Sequence, residues 1–213
     1  MISVSKRLGL IALAVIVAVL IVDQAVKIYV KTHFLLGEEV NVCGDWFKLH
    51  FVENNGMAFG AEFASGRAGK LFLSLFRIVA IGAIGYYLYR ICQRGARTFF
   101  VILVSLVLSG AIGNIIDCIF YGVCFGSSWG QLAEFLPAGG GYGTWLEGRV
   151  VDMFYFPLLE GRFPDWLPIW GGEGYVFFRP VFNVADSAIS VGIILMILFA
   201  HDDLGRLLNG DDK

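Results

Sequence analysis

The chain has 213 residues, 57% of hydrophobic type and 16% charged, with a mean hydropathy of +0.72. Soluble domains usually carry about a quarter charged residues, which excludes an ordinary water-soluble globule and makes the bilayer the expected solvent. A net charge of −2, with no basic tract and no zinc-type spacing, gives no reason to expect a nucleic-acid partner or a metal centre.

A spanning helix needs about 20 mostly apolar residues, and four segments meet that condition. The first covers about 8–30. Its unbroken apolar part runs from Leu8 to Val22, followed by Asp23, Gln24 and Lys27. Lys6-Arg7 before an apolar run fits a secretory signal, but no small-x-small site follows and apolar residues resume, so a retained helix is expected. The second segment covers about 71–91, the third about 98–120 and the fourth about 184–200. Lys6 and Arg7 precede the first span, and Arg90, Arg94 and Arg97 crowd the turn between the second and third. The positive-inside rule puts both groups in the cytoplasm, and four spans return the C-terminus there.

Two long segments are then left outside. In 31–70, the alternation Phe47-Lys48-Leu49-His50-Phe51-Val52 predicts a small sheet or hairpin at the membrane surface. The second, 121–182, is rich in Gly, Pro and Trp, and a loop of that length is usually functional. Its aromatics (Trp145, Phe154, Tyr155, Phe156, Trp166, Trp170, Phe177 and Phe178) suit the headgroup zone. With no repeat and no second boundary, residues 1–213 read as one membrane-embedded domain. The expected fold class is an all-α integral membrane protein with four spans, a small extracytoplasmic β-rich segment and a long outer loop region. The four cysteines (Cys43, Cys92, Cys118 and Cys124) form no CxxC pair. Cys118 and Cys124 can bridge only in an oxidising space, and small semi-buried thiols are the favoured reading. None follows a short N-terminal apolar run, so the chain is not expected to be a lipoprotein itself.

Ionisable groups at membrane depth are costly, and each is a functional hypothesis. Asp23 and Lys27, at i and i+4, share a helix face, which fits a local ion pair as well as a role in a site. In Phe51-Val52-Glu53-Asn54-Asn55-Gly56-Met57-Ala58-Phe59-Gly60, Asn-Gly signals a hairpin turn. Arg77 reads as a snorkelling interface residue. Gly110, Asn114 and Asp117 fall on one face of the third helix, and Gly110 and Gly113 permit close approach of another helix. Asp152 interrupts the apolar stretch Arg149-Val150-Val151-Asp152-Met153-Phe154, where a surface aspartate is the plain reading. Asn183 with Asp186 three residues on resembles a helix cap, but Asp186 stands where the chain enters lipid.

Taken in order, these pieces resemble the lipoprotein signal peptidase (signal peptidase II) family: Asp23-Gln24-x-x-Lys27, Asn54-x-Gly56-x-Ala58-Phe59, Gly113-Asn114-x-x-Asp117, Val151-Asp152-x-Phe154 and Phe182-Asn183-x-Ala185-Asp186-Ser187. The resemblance covers nearly the whole chain. It implies a bacterial inner-membrane aspartyl peptidase that cuts diacylglyceryl-modified prolipoproteins just before the lipidated cysteine, is inhibited by globomycin-type cyclic peptides and needs no cofactor. The catalytic pair carries over onto Asp152 and Asp186. Asp23, Lys27, Asn54, Gly56, Asn114, Asp117, Asn183 and Ala185 carry over as supporting or substrate-facing positions. Two departures stand out. Cys118 replaces an arginine of the family, with Arg149 and Arg179 as candidate substitutes. The outer segment between Asp117 and Asp186 is also longer, with a lid or platform as its expected role. Two neighbouring carboxylates share a proton, and Asp186, in the first turn of a helix, is expected to be the ionised member. Competing classes are a small proton-coupled transporter, which would place its acids near the midplane, and a noncatalytic membrane assembly factor.

Overall fold

The computed structural model describes residues 3–55, 67–177, 179–203 and 205. Helix α1 runs Val4–His33, capped by the Ser3 hydroxyl and ended with Lys31 and His33 in its last turn, where cations suit the helix dipole. It extends past the expected 8–30 at both ends. Its polar C-terminal residues stay helical because Lys27 and Lys31 find buried partners. Helix α2 covers Arg67–Gln93 and α3 covers Thr98–Ile116. Between them Gly95 takes φ 72°, a left-handed turn that suits glycine. Helix α3 gives way at Asp117 to a π-helical turn, Asp117–Tyr121, then to a short helix α4, Gly122–Cys124. A helix stands where the third span is expected, but its last turn is wound differently.

Among the described residues, three helical stretches are long and apolar enough to cross a membrane: Val4–His33, Gly69–Gln93 and Thr98–Cys124. Helix α5, Val184–Phe199, has 16 residues, about 24 Å of rise. Helix α3 is the central element. Its Phe100, Leu103, Val104 and Leu108 pack with Leu8 and Ala12 of α1, Leu88 of α2 and Met196 of α5. The α3–α5 crossing is close because α3 carries glycine there. A Cβ on Gly110 would run into the carbonyl oxygen of Ala185, and one on Gly113 would lie 2.7 Å from an Asp23 carboxylate oxygen.

Strands β1 (Glu39–Cys43) and β2 (Phe47–Asn54) form the expected hairpin. Its turn falls at residues 44–46, where Gly44 has φ 52°; the turn expected at Asn55-Gly56 runs into residues outside those described. Asn54 closes β2, while Gly56, Ala58 and Phe59 lie outside the described residues. The sheet grows beyond that hairpin with strands from the second outer segment. The antiparallel order is β1-β2-β3-β6, with β3 at Val150–Tyr155 and β6 at Val181–Phe182. Strands β4 (Leu159–Arg162) and β5 (Gly174–Phe177) form a separate hairpin. It presents Trp166, Ile169 and Trp170 to the outside; Phe178 lies outside the described residues.

The insertion expected as a lid or platform is a laced strap. Gly143 N–H donates to Gly122 O (2.8 Å), Leu136 N–H to Cys124 O (2.7 Å), Tyr142 N–H to Phe125 O (2.9 Å) and Gly148 N–H to Cys118 O (2.9 Å). A second core of Val30, Phe34, Phe51, Tyr121, Phe125, Val151 and Met153 fastens the sheet to the ends of α1 and α3. All four cysteines are free thiols, Cys118 and Cys92 being buried.

Candidate active site

Asp152 sits in the middle of β3 with its side chain facing inward, only 3% of the residue exposed. The surface-loop reading of this residue fails because the β2–β3 pairing sets Val52 opposite it and packs the strand against the helices. Its Oδ1 accepts the Asn183 amide at 2.7 Å and its Oδ2 the Asn54 amide at 3.2 Å. Asp186 lies in the first turn of α5 and forms a full capping box with Asn183. Its N–H donates to Asn183 Oδ1 at 2.9 Å, and its Oδ2 accepts the Asn183 N–H at 3.3 Å. Its Oδ1 accepts the Asn114 amide from α3 at 2.7 Å. Asn183 therefore does more than cap a helix. It joins the two carboxylates, and its amide also reaches Asn114 Oδ1 at 3.0 Å and the Val151 carbonyl at 3.3 Å.

Burial pushes the Asp152 carboxyl up to about 7, and the charge of Asp186 adds to the effect. The Asn54 and Asn183 amides favour the charged form and work against it. The two aspartates thus behave as an interacting pair.

Behind the pair lies an ionic tier. Lys27 Nζ stands 3.0 Å from Asp23 Oδ2, 2.9 Å from Asp117 Oδ2 and 2.9 Å from Asn114 Oδ1, with all three ionic side chains fully buried. An interfacial i,i+4 pair would stop at Asp23. Here the tier ties four elements together. Asp23 Oδ1 accepts the Ala185 N–H of α5 at 2.9 Å, and Asp117 Oδ2 the Val151 N–H of β3 at 3.2 Å. Ala185 enters through its backbone and its small size beside Gly110 and Gly113. Asn54, Asn114 and Asn183 thus touch the two carboxylates directly, and Asp23, Lys27, Asp117 and Ala185 lie behind them.

Other members had weak sequence signals or none. Gln24, visible only as a motif neighbour, donates to Asp117 Oδ1 at 3.0 Å and to the Gly113 carbonyl at 3.3 Å. It accepts from the Tyr121 hydroxyl at 3.1 Å. Tyr121 reaches it from the π-helical turn, which no simple periodicity announces. A second buried cluster joins Lys31 to Glu53, with Ser128 donating to Glu53 at 2.7 Å and Arg149 at 2.8 Å. Burial works to raise the Glu53 carboxyl, but Lys31 and Arg149 hold it below the usual carboxylate range. At Cys118 the neighbouring guanidinium is that of Arg77, whose Nη1 lies 3.5 Å from Sγ. Arg149 is engaged with Glu53, and Arg179 is exposed. Among the described residues no group of three His, Cys, Asp or Glu side chains is placed to hold a metal ion.

Apolar helices and a small sheet thus bring two interacting carboxylates together, an arrangement that suits an aspartic hydrolase. The family model for signal peptidase (SPase) II matches residues 15–201. A lipoprotein signal peptidase of Porphyromonas gingivalis is 55% identical over 203 residues, covering 95% of this chain and 88% of that protein. The corresponding protein of Amoebophilus asiaticus is 36% identical, covering 92% and 78%. A solved bacterial membrane enzyme superposes with a TM-score of 0.57 at 24% identity, covering 91% of this chain and 88% of its own, a likeness of fold. The chain belongs to the signal peptidase II family, and it is an aspartic peptidase. Family membership sets aside the transporter and assembly-factor readings.

Proposed function

We propose that Asp152 and Asp186 are the catalytic dyad of an enzyme that removes signal peptides from diacylglyceryl-modified prolipoproteins, cutting before the lipidated cysteine. The observation that carries this assignment is the Asn183 bridge, which holds the buried Asp152 carboxylate and the half-buried Asp186 carboxylate together from elements about thirty residues apart in sequence. Asp152, raised towards neutrality, holds the shared proton. Asp186 is the anion, supported by the Asn114 amide and by the N-terminus of α5.

Asp186 takes a proton from a water molecule, whose oxygen attacks the scissile carbonyl. Asp152 donates its proton to the developing oxyanion. As the tetrahedral intermediate collapses, the C–N bond breaks and the amine leaves with the proton Asp186 had taken. Asp152 recovers its own proton as the new carboxyl group forms. The products are a signal peptide with a free C-terminus and a lipidated cysteine with a free amine. Asn54 and Asn183 orient Asp152, and the Lys27 tier fixes the backbone on which both aspartates ride.

The arrangement proposed in the membrane has four spans, both termini in the cytoplasm and the dyad near the outer face of the bacterial inner membrane. The basic residues at 6–7 and 90–97 support that orientation. At about 24 Å, α5 is short of the hydrocarbon thickness of about 30 Å, which suits a helix that starts at the site and not at the headgroups. The deciding experiment is cleavage of a purified diacylglyceryl prolipoprotein by wild type, Asp152→Asn and Asp186→Asn. Wild type is expected to cut and to be blocked by globomycin, and each folded variant to lose nearly all turnover. Near wild-type activity in either variant removes that residue from the dyad.

A further inference from the structure

A groove of about 430 Å³ lies between the C-terminal half of α1 and the sheet. Val26, Tyr29 and Val30 form its helical wall, and Val42, Leu49 and Phe154 its sheet wall. The lining is apolar or aromatic throughout, and nothing in the catalytic arrangement uses it. Its volume is that of a ligand pocket, about 300–1,000 Å³. Both walls lead to the aspartates. Phe154 is two residues beyond Asp152 on β3, on the same face and about 7 Å along the strand. Val26 lies between Gln24 and Lys27, which hold the supporting tier. Tyr29 and Val42 are exposed, so the groove opens sideways along a helix long and apolar enough to span the bilayer.

The lining selects the occupant. An extended peptide would lose its hydration against walls that offer almost no hydrogen-bonding group, at a cost for each unpaired amide. A phosphate or sugar would find no charged partner. A hydrocarbon chain meets neither penalty. On the reading that the substrate is a diacylglyceryl prolipoprotein, its glycerol is bonded to the cysteine that follows the scissile bond, so its chains must leave the site a few bonds from Asp152. We infer that this groove receives one acyl chain of the substrate and thereby aligns the scissile carbonyl with the dyad. Lipid tails are as apolar as the groove. Transfer from bilayer to groove therefore yields little affinity, and the gain lies in orientation, expressed in the rate.

The test compares kcat/KM for dipalmitoylglyceryl and dibutanoylglyceryl forms of one prolipoprotein, using full-length enzyme in nanodiscs. Val42→Trp fills the mouth from an exposed strand position, and thermal unfolding checks that the variant stays folded. The long-chain substrate is expected to lose roughly tenfold to a hundredfold, and the short-chain substrate clearly less. A diazirine midway along the acyl chain of substrate bound to Asp186→Asn should label α1 within residues 24–33 or strand β1. Equal losses on both substrates, or none, overturn the inference. So does labelling of these segments by a diazirine phospholipid that excess substrate fails to displace, since the groove then belongs to a resident lipid. If wild type cuts neither substrate, the peptidase reading falls and the groove assignment with it. If wild type cuts both and Val42→Trp changes nothing, only the groove assignment fails.

Discussion

Asn183 offers the sharpest perturbation because its two ends do different work. Its Oδ1 caps α5 by accepting the Asp186 N–H at 2.9 Å, and its Nδ2 donates to Asp152 at 2.7 Å. Asn183→Ser keeps a capping oxygen but deletes the amide donor. Asn183→Ala deletes both. A hydrogen bond to a charged group contributes about 1.5–3 kcal/mol, and each 1.4 kcal/mol is a factor of ten. Asn183→Ser should therefore lower kcat roughly tenfold to a hundredfold. The amide favours the ionised form of Asp152, so its loss moves the Asp152 carboxyl above about 7. The alkaline limb of the kcat profile, where Asp152 gives up its proton, should shift to higher pH. Asn183→Ala should add about 1 kcal/mol of lost stability for the cap, seen as a lower Tm in detergent than that of Asn183→Ser. The assay is the pH dependence of turnover on a lipidated prolipoprotein, alongside thermal unfolding of all three proteins. An Asn183→Ser enzyme with kcat within twofold of wild type and an unmoved alkaline limb would refute the role given to the amide.

The raised Asp152 carboxyl also makes a stability prediction. Its ordinary value is 3.8 and its folded value about 7, so the native state binds the proton more tightly than the unfolded state. Its contribution is fully present below about 3.8 and is lost as pH rises through about 7, to the extent of a few kcal/mol. Asp152→Asn should accordingly raise Tm at pH 8 and flatten its dependence between pH 5 and 8; a Tm unchanged at pH 8 would count against burial of the charge. Lys27→Met leaves Asp23 and Asp117 buried without their cation, and breaking such a pair costs about 3–5 kcal/mol. Thermal unfolding should show that loss, and Lys27→Arg should recover part of it. Glu53→Ala removes the acceptor that Lys31, Ser128 and Arg149 share. Limited proteolysis should then cut the 125–147 strap faster than in wild type, and an unchanged rate would deny the cluster its anchoring role. Gly110→Val should separate α3 from α5 and lower both Tm and activity, because the added atoms meet the Ala185 backbone.

What the sequence disclosed followed periodicity and solvent. The apolar runs located each long helix to within a few residues, because in a bilayer a helix must satisfy its own backbone and leaves a continuous hydrophobic record. The β1–β2 alternation was legible for the same reason in two-residue form. Strand β3 was not assigned, although Val150–Tyr155 is as β-prone as its partner. Both faces of its first half are buried, so it shows no alternation, and its pairing with β2 closes a loop of almost one hundred residues. The β1–β2 turn at 44–46 carries a weaker turn signal than the Asn55-Gly56 pair, which falls at the edge of the described residues. Phe51 and Val151 anchor the sheet in the second core.

The site divides along the same line. Asp23, Lys27 and Asn114 could be read from helical spacing because each lies on a continuous α-helix, and Asp117 because it directly follows α3 with α-helical backbone angles, so that i+3 and i+4 imply a shared face. Their partnership across helices could not, and the plain pair reading of Asp23 and Lys27 shows why. Sequence spacing gives the intrahelical contact at 3.0 Å, but the equally short contact to Asp117 depends on the α1–α3 packing. Tyr121 and Cys118 fall in the π-helical turn, where one extra residue per turn breaks the 3.6-residue count. Cys118 is part of that turn. Its buried thiol packs beside Ile115 and Val150 and meets Arg77 of α2. A positive charge thus reaches Cys118 from the neighbouring helix α2, a contact between helices that spacing along one segment does not reveal.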